Sequence, residues 1–140
     1  MDEQDIGMLI KQLYDAKEKR ANQQLKTFGL TFSQFRILAY LREANGQAAL
    51  KEIEAHFRLT QQTVAGVIKR LEEKEFVVTR EAETDKRAKN VFLTEKGEQS
   101  CTDAIACYQK SQDLLTQGLA ESEIQELRRL LLLVLENTKQ

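Results

Sequence analysis

Apolar residues recur at helical spacing over most of this chain and switch to short β-type runs only between residues 76 and 94. Near the N-terminus Ile6, Leu9, Ile10, Leu13, Ala21, Leu25 and Phe28 fall at helical spacing. Thr31-Phe32-Ser33-Gln34 forms a capping box, because Thr31 can bond the N–H three residues on while the Gln34 side chain reaches back. It opens a helix with Phe35, Leu38 and Leu41 inward, and Glu52 to Phe57 predicts a short third helix. Thr60 is the natural N-cap of the next helix, which starts near Gln61. There Val64, Val67, Ile68 and Leu71 stand at i, i+3, i+4 and i+7, one apolar stripe against a core.

Phe76-Val77-Val78-Thr79 and Val91-Phe92-Leu93-Thr94 are rich in β-branched and aromatic residues, whereas Arg80 to Asn90 between them is almost wholly polar or charged. That pattern predicts a β-hairpin with a long exposed tip. After Gly97 helical spacing returns through Cys101, Ala104, Ile105, Tyr108, Leu114 and Leu115, and a last helical segment runs from Leu119 to Leu135. In it Ile124, Leu127, Leu130, Leu131, Val134 and Leu135 make one stripe, yet Leu132 and Leu133 are apolar as well. A helix apolar all round must be buried on several sides. A chain of 140 residues has little core left for both ends, so the two terminal helical regions are expected to interlock with a second copy. The absence of proline lets the long helices run uninterrupted.

The polar side of the helix that Thr60 opens is Gln61, Gln62, Ala65, Gly66, Lys69, Arg70 and Glu73. Glutamine can bridge the adjacent donor and acceptor of adenine, and lysine or arginine can reach guanine acceptors or phosphates, so the face suits a major groove. A glycine inside a helix costs about 1 kcal/mol relative to alanine, so Gly66 suggests a close approach to the backbone. In the hairpin tip, Arg87 is of the type that enters a narrow minor groove, and Asp85 is spaced to hold its fork. The competing readings are a solvated helix face and a local surface ion pair worth ~0–1 kcal/mol. A formal net charge of −1 leaves steering to local charge: Lys69, Arg70, Lys74, Arg80, Lys86, Arg87 and Lys89 cluster on this side among Glu72, Glu73, Glu81 and Glu83.

Other chemistry finds little support. No signal-peptide core or membrane-length apolar run is present, so a cytoplasmic protein without membrane contact is expected. Cys101 and Cys107 lack CxxC spacing and are expected to be small buried or interface residues. A lone histidine, His56, has no nucleophile setting and no ligand cluster, and no phosphate-cradling glycine loop occurs. The expectation is no enzyme, no metal and no cofactor. The alternative from another class is a winged-helix module that docks protein through the same helix and wing.

Leu30-Thr31-Phe32-Ser33-Gln34-Phe35-Arg36-Ile37-Leu38, Leu59-Thr60-Gln61-Gln62-Thr63-Val64, Leu71-Glu72-Glu73-Lys74, Asp85-Lys86-Arg87 and Leu93-Thr94-Glu95-Lys96-Gly97 stand in an order and spacing that resembles the MarR (multiple antibiotic resistance regulator) family of bacterial transcription factors. The resemblance implies a mainly α fold with a small β-hairpin wing, a winged helix-turn-helix plus a helical dimerisation layer. Residues 31–94 would form the DNA-binding lobe of a single 1–140 unit, with 1–30 and 95–140 as the dimerisation region. It further implies a ligand-responsive repressor, an obligate homodimer on a pseudo-palindromic operator in double-stranded DNA. The DNA-binding set is then Gln61, Gln62, Thr63, Gly66, Lys69 and Arg70 on the helix and Asp85, Lys86 and Arg87 on the wing. In the family, small aromatic or phenolic acids, or oxidants, act between the dimer layer and the DNA-reading lobe. No effector is named by the sequence; Tyr14, Phe35, Arg36 and Tyr40 are of a type to line such a site, although aromatics at helical spacing are more often core. Two departures bear on local geometry: Glu75 stands where many members have glycine, and Ala48-Ala49-Leu50-Lys51 offers no preferred cap to the third helix.

Overall fold

A computed structural model describes residues 4–140. Its elements, in order, are α1 (Ile6–Leu25), a 3₁₀ turn (Lys26–Phe28), α2 (Phe32–Glu43), β1 (Gln47–Ala49), α3 (Leu50–Phe57), α4 (Gln61–Glu73), β2 (Val77–Glu81), β3 (Lys89–Leu93), α5 (Glu95–Leu115) and α6 (Glu121–Asn137). They fall into two compact units, one ending at Tyr108 and the other comprising Gln109–Gln140.

The first unit is built around Leu25, Leu38, Leu41, Ile53, Val64, Leu71, Val77 and Val91, all fully buried. The capping box forms as expected: Gln34 N–H donates to Thr31 Oγ1 at 3.2 Å, and Thr31 N–H to Gln34 Oε1 at 3.1 Å. Asn22 on α1 adds a bond the sequence did not reveal, accepting from Phe32 N–H at 2.7 Å. The first turn of α2 is therefore held from two sides. Asp5 caps α1 in the same way, accepting from Met8 N–H at 2.8 Å.

The sheet departs from the expectation in two respects. It has three strands, ordered β1-β3-β2, with Ala48 opposite Val91. The hairpin ladder is also longer, because Arg80 pairs with Asn90 and Glu81 with Lys89, which shortens the loop to Ala82–Ala88. Polar residues can take part in the ladder here because pairing uses the backbone, and the side chains of Arg80, Glu81 and Lys89 stay exposed. β1 runs directly into α3, which begins at Leu50, two residues before the expected Glu52, with Ala49 as an N-cap that makes no side-chain bond.

Helix α4 ends at the left-handed turn that glycine usually makes, although Glu75 occupies it with φ 64°. Glu75 N–H donates to Glu72 C=O and Phe76 N–H to Leu71 C=O, both at 2.9 Å, a Schellman closure with Phe76 and Leu71 both buried. Thr94 Oγ1 donates to the Glu75 carbonyl at 2.7 Å and accepts from Gly97 N–H at 3.0 Å, so it joins this turn to the first turn of α5. Gly97 has a steric reason: a Cβ there would collide with the Phe76 carbonyl.

In the second unit, α6 starts at Glu121, after the expected Leu119, and contains no buried residue. Leu130, Leu131, Leu132, Leu133 and Leu135 are all between 44% and 60% exposed. The all-round apolar helix is thus uncovered within one chain. On α1, Ile6, Leu9, Ile10 and Leu13 are exposed to a similar degree, whereas Ala21 and Leu25 are buried.

Candidate nucleic-acid interface

Thr60 starts α4 by accepting from Thr63 N–H at 3.1 Å, and its own hydroxyl donates to Thr63 Oγ1 at 2.8 Å. Thr63 is thereby held in a defined orientation at the helix entry. Val64, Ile68 and Leu71 are buried and Val67 is half-buried, which turns Gln61, Gln62, Thr63, Ala65, Gly66, Lys69 and Arg70 outward, all exposed. One face is fixed by packing and the other is free. At Gly66 nothing lies within 4 Å of where a Cβ would stand. Packing within the chain therefore gives no reason for a glycine that weakens the helix.

The wing tip is a closed turn. Asp85 C=O accepts from Ala88 N–H at 3.0 Å, Asp85 Oδ1 accepts from Arg87 N–H at 2.9 Å, and the ladder is prolonged by Ala82 N–H on Ala88 C=O at 2.9 Å. Asp85 Oδ1 also lies 3.5 Å from Arg87 Nε, while the arginine side chain stays 95% exposed. The carboxylate fixes the root of the arginine and leaves its charge in solvent. Nearer the base of the hairpin, Arg80 stacks on Phe92, 5.4 Å from the ring centroid.

One member of the basic cluster proves unlike the rest. Lys74, at the end of α4, donates to Gly29 C=O and to Gln34 Oε1, so its ammonium is engaged within the fold. Lys69, Arg70, Lys86 and Lys89 form no ion pair among the described residues, and neither does Arg58, in the turn between α3 and α4, which sequence reasoning left aside. Its signal is conformational, a left-handed backbone with φ 54°. Alongside α4, a groove of about 430 Å³ is lined by Thr31, Gln34, Thr63, Gly66, Arg70 and Lys74 among others.

A second cavity in the first unit measures about 780 Å³ and gathers side chains from α1, α2, α3 and α5. Tyr14, Phe35, Arg36 and Tyr40 all line it, with Lys17, Phe32, Phe57 and Tyr108. Lys17 Nζ stands 5.3 Å from the Phe32 ring centroid and 5.6 Å from that of Tyr108; the Arg36 guanidinium lies 4.9 Å from Phe57 and 5.7 Å from Phe32. His56 stacks on Tyr40 with centroids 4.5 Å apart. Two cations stand over aromatic faces with no carboxylate in ion-pair contact with either among the described residues, although Glu43 also lines the cavity; the pair offers partners to an anion bearing a flat apolar body.

Cys101 is fully buried and burial pushes its thiol pKa up, against a smaller lowering by Arg42; Cys107 is half-buried. Among the described residues no group of three or more His, Cys, Asp or Glu is placed to hold a metal, and no helix is long and apolar enough to cross a membrane.

The family model described as MarR family matches residues 28–88. The uncharacterized HTH-type transcriptional regulator YwoH of Bacillus subtilis is 45% identical over 80 residues, 57% of each chain. The match thus spans little more than half of that relative's length. Among solved structures, a mutant MarR from E. coli complexed with operator DNA is 27% identical with a TM-score of 0.85, covering 93% of each chain. A putative MarR family transcriptional regulator from Listeria monocytogenes complexed with a 26mer DNA is also 27% identical, with a TM-score of 0.81 over 96% of this chain and 89% of that one.

Proposed function

We propose that this chain is a MarR-type transcriptional regulator, a sequence-specific DNA-binding protein and ligand-responsive repressor that acts in the cytoplasm as a homodimer on a pseudo-palindromic operator; the family-model match over residues 28–88 and the likeness to the E. coli MarR structure with operator DNA support this reading. The observation that carries this reading is the division of α4: one face is locked into the core, while the other is exposed from Gln61 to Arg70 with open space over Gly66. A helix inserted in the major groove brings its outward backbone close to the bases, and a side chain at position 66 would stand in the way. Gln61 and Gln62 are then base readers, while Thr63, Lys69 and Arg70 hold bases or phosphates. Asp85 orients Arg87 for the minor groove, and Lys86 reaches a phosphate.

The dimer follows from the uncovered leucines. A chain leaving Leu130 to Leu135 and Ile6 to Leu13 in water would gain about 25 cal/mol per Å² by covering them with a second copy. In this division residues 31–94 read DNA, and 1–30 with 95–140 assemble the dimer. Two recognition helices about 34 Å apart would then meet two half-sites, so anything that alters their separation alters affinity. The cavity with Lys17 and Arg36 supports a small aromatic or phenolic acid as the effector. An effector bound there would act by favouring a dimer whose helices are spaced wrongly for the operator.

Selection of duplexes from a random pool by the purified protein tests the reading. Enrichment of an inverted repeat with half-site centres about one helical turn apart is the expected result. A pool that stays random after repeated rounds would contradict it, and would favour use of the same surface for docking protein.

A further inference from the structure

The left-handed region, which L side chains rarely adopt, holds three non-glycine residues among those described: Asn45, Arg58 and Glu75. Two of them have an account within the fold. Asparagine is among the residue types that tolerate this conformation, and Glu75 has its carbonyl bonded by Thr94 Oγ1 at 2.7 Å and its carboxylate 3.8 Å from Lys96 Nζ. Arg58 has no such account. Its backbone closes α3 by donating to Ala55 C=O at 3.3 Å, and Leu59 N–H follows onto Glu54 C=O at 3.2 Å, a closure that glycine makes without strain. Its side chain is exposed and makes no hydrogen bond, ion pair or ring contact among the described residues; Glu54, one turn earlier, does not pair with it.

A charged side chain kept in a strained position with nothing in the fold to hold it is accounted for by something outside the fold. Its place in the chain says what. Arg58 stands two residues before Thr60, the N-cap of α4, and a helix-turn-helix directs the first turn of its second helix at the base edges. We propose, resting on the DNA-binding reading above, that Arg58 is a further contact to the DNA backbone: its guanidinium binds a phosphate beside the bases faced by Gln61 and Gln62 and sets the depth and register of α4 in the groove. The contact positions the protein and carries no sequence information of its own.

The strain gives the test two readouts of opposite sign. Arg58→Gly relieves the backbone, so Tm should rise by about 2–4 °C, while affinity for the duplex that the wild-type protein selects should fall roughly tenfold. The log–log salt slope should flatten by about 0.9 per subunit. Arg58→Gln keeps the strained backbone and removes the charge; it should lose the same affinity and slope with Tm unchanged. Arg58→Lys should retain the slope. Wild-type affinity and slope in both Arg58→Gly and Arg58→Gln would overturn the assignment while leaving the proposed function intact, whereas failure of the wild-type protein to bind any duplex would overturn both.

Discussion

Lys74 Nζ lies 2.8 Å from Gln34 Oε1 and bonds the Gly29 carbonyl as well, so the C-terminal end of α4 is tied to the loop that enters α2. Gln34 is itself buried and already accepts from Thr31 N–H, which makes its carbonyl oxygen the meeting point of two elements. Helix α4 is anchored by these bonds at its C-terminal end, while the Thr60 cap closes its first turn.

Replacing Lys74 with Met leaves the Gly29 carbonyl without its donor and the Gln34 oxygen with one bond fewer. Unfolding in urea should show a loss of about 1–2 kcal/mol, as for hydrogen bonds from a charged group. The salt slope of DNA binding should not change, because this ammonium is engaged within the fold. A slope that flattens in Lys74→Met would move Lys74 to the DNA contacts.

Glu75→Gly should stabilise the chain by about 1 kcal/mol, since it relieves the backbone at φ 64° and gives up only the exposed, 3.8 Å contact with Lys96. The midpoint of urea unfolding checks this. A lower midpoint would mean that the Lys96 contact outweighs the strain.

On the wing, Arg87→Ala should reduce affinity for the selected duplex strongly with Tm unaltered, since the side chain is 95% exposed. Asp85→Ala should reduce it less, because the charge remains and only its orientation is freed. The two changes should be non-additive in a double-mutant cycle read by fluorescence anisotropy.

Cys101 and Cys107 should differ in reactivity. Burial raises the Cys101 thiol pKa, so its protonated form is favoured by folding; that contribution is present below the ordinary thiol pKa and is lost as pH rises through the folded value. Mass spectrometry after brief iodoacetamide treatment near pH 8 should find Cys107 modified first. Equal labelling of the folded protein would contradict the buried placement of Cys101.

What the sequence made legible was local. Thr31 with Gln34, Thr60 with the stripe from Val64 to Leu71, and the two β-type runs each carry their signal within a few residues, and the structure forms all of them. β1 was not legible: Gln47-Ala48-Ala49 has no strand propensity, and it becomes a strand only because β3 offers it a partner. At Glu75 the sequence marked a departure from the usual glycine but not that the left-handed turn is kept, since its closure depends on the buried pair Leu71 and Phe76 and on Thr94, nineteen residues away. For the cavity, the sequence suggested Tyr14, Phe35, Arg36 and Tyr40. It missed Lys17 and Phe57, which converge on the same space only through tertiary packing.

The account rests on an assembled dimer with Leu131 and Leu135 covered. Leu131→Asp with Leu135→Asp would bury unpaired charges in that contact and should yield monomer by sedimentation at micromolar concentration. Stable folded monomer from the wild-type protein would remove the basis for a palindromic site.

The most direct single measurement is the affinity of the wild-type protein for its selected duplex as salt rises from about 50 to 200 mM, beside an unselected duplex of equal length. With six or more phosphates neutralised across the dimer, affinity should fall on the order of 10³-fold, and the selected duplex should stay the tighter at every salt concentration. Affinity that is flat in salt, or equal for the two duplexes, would contradict sequence-specific DNA binding by this protein.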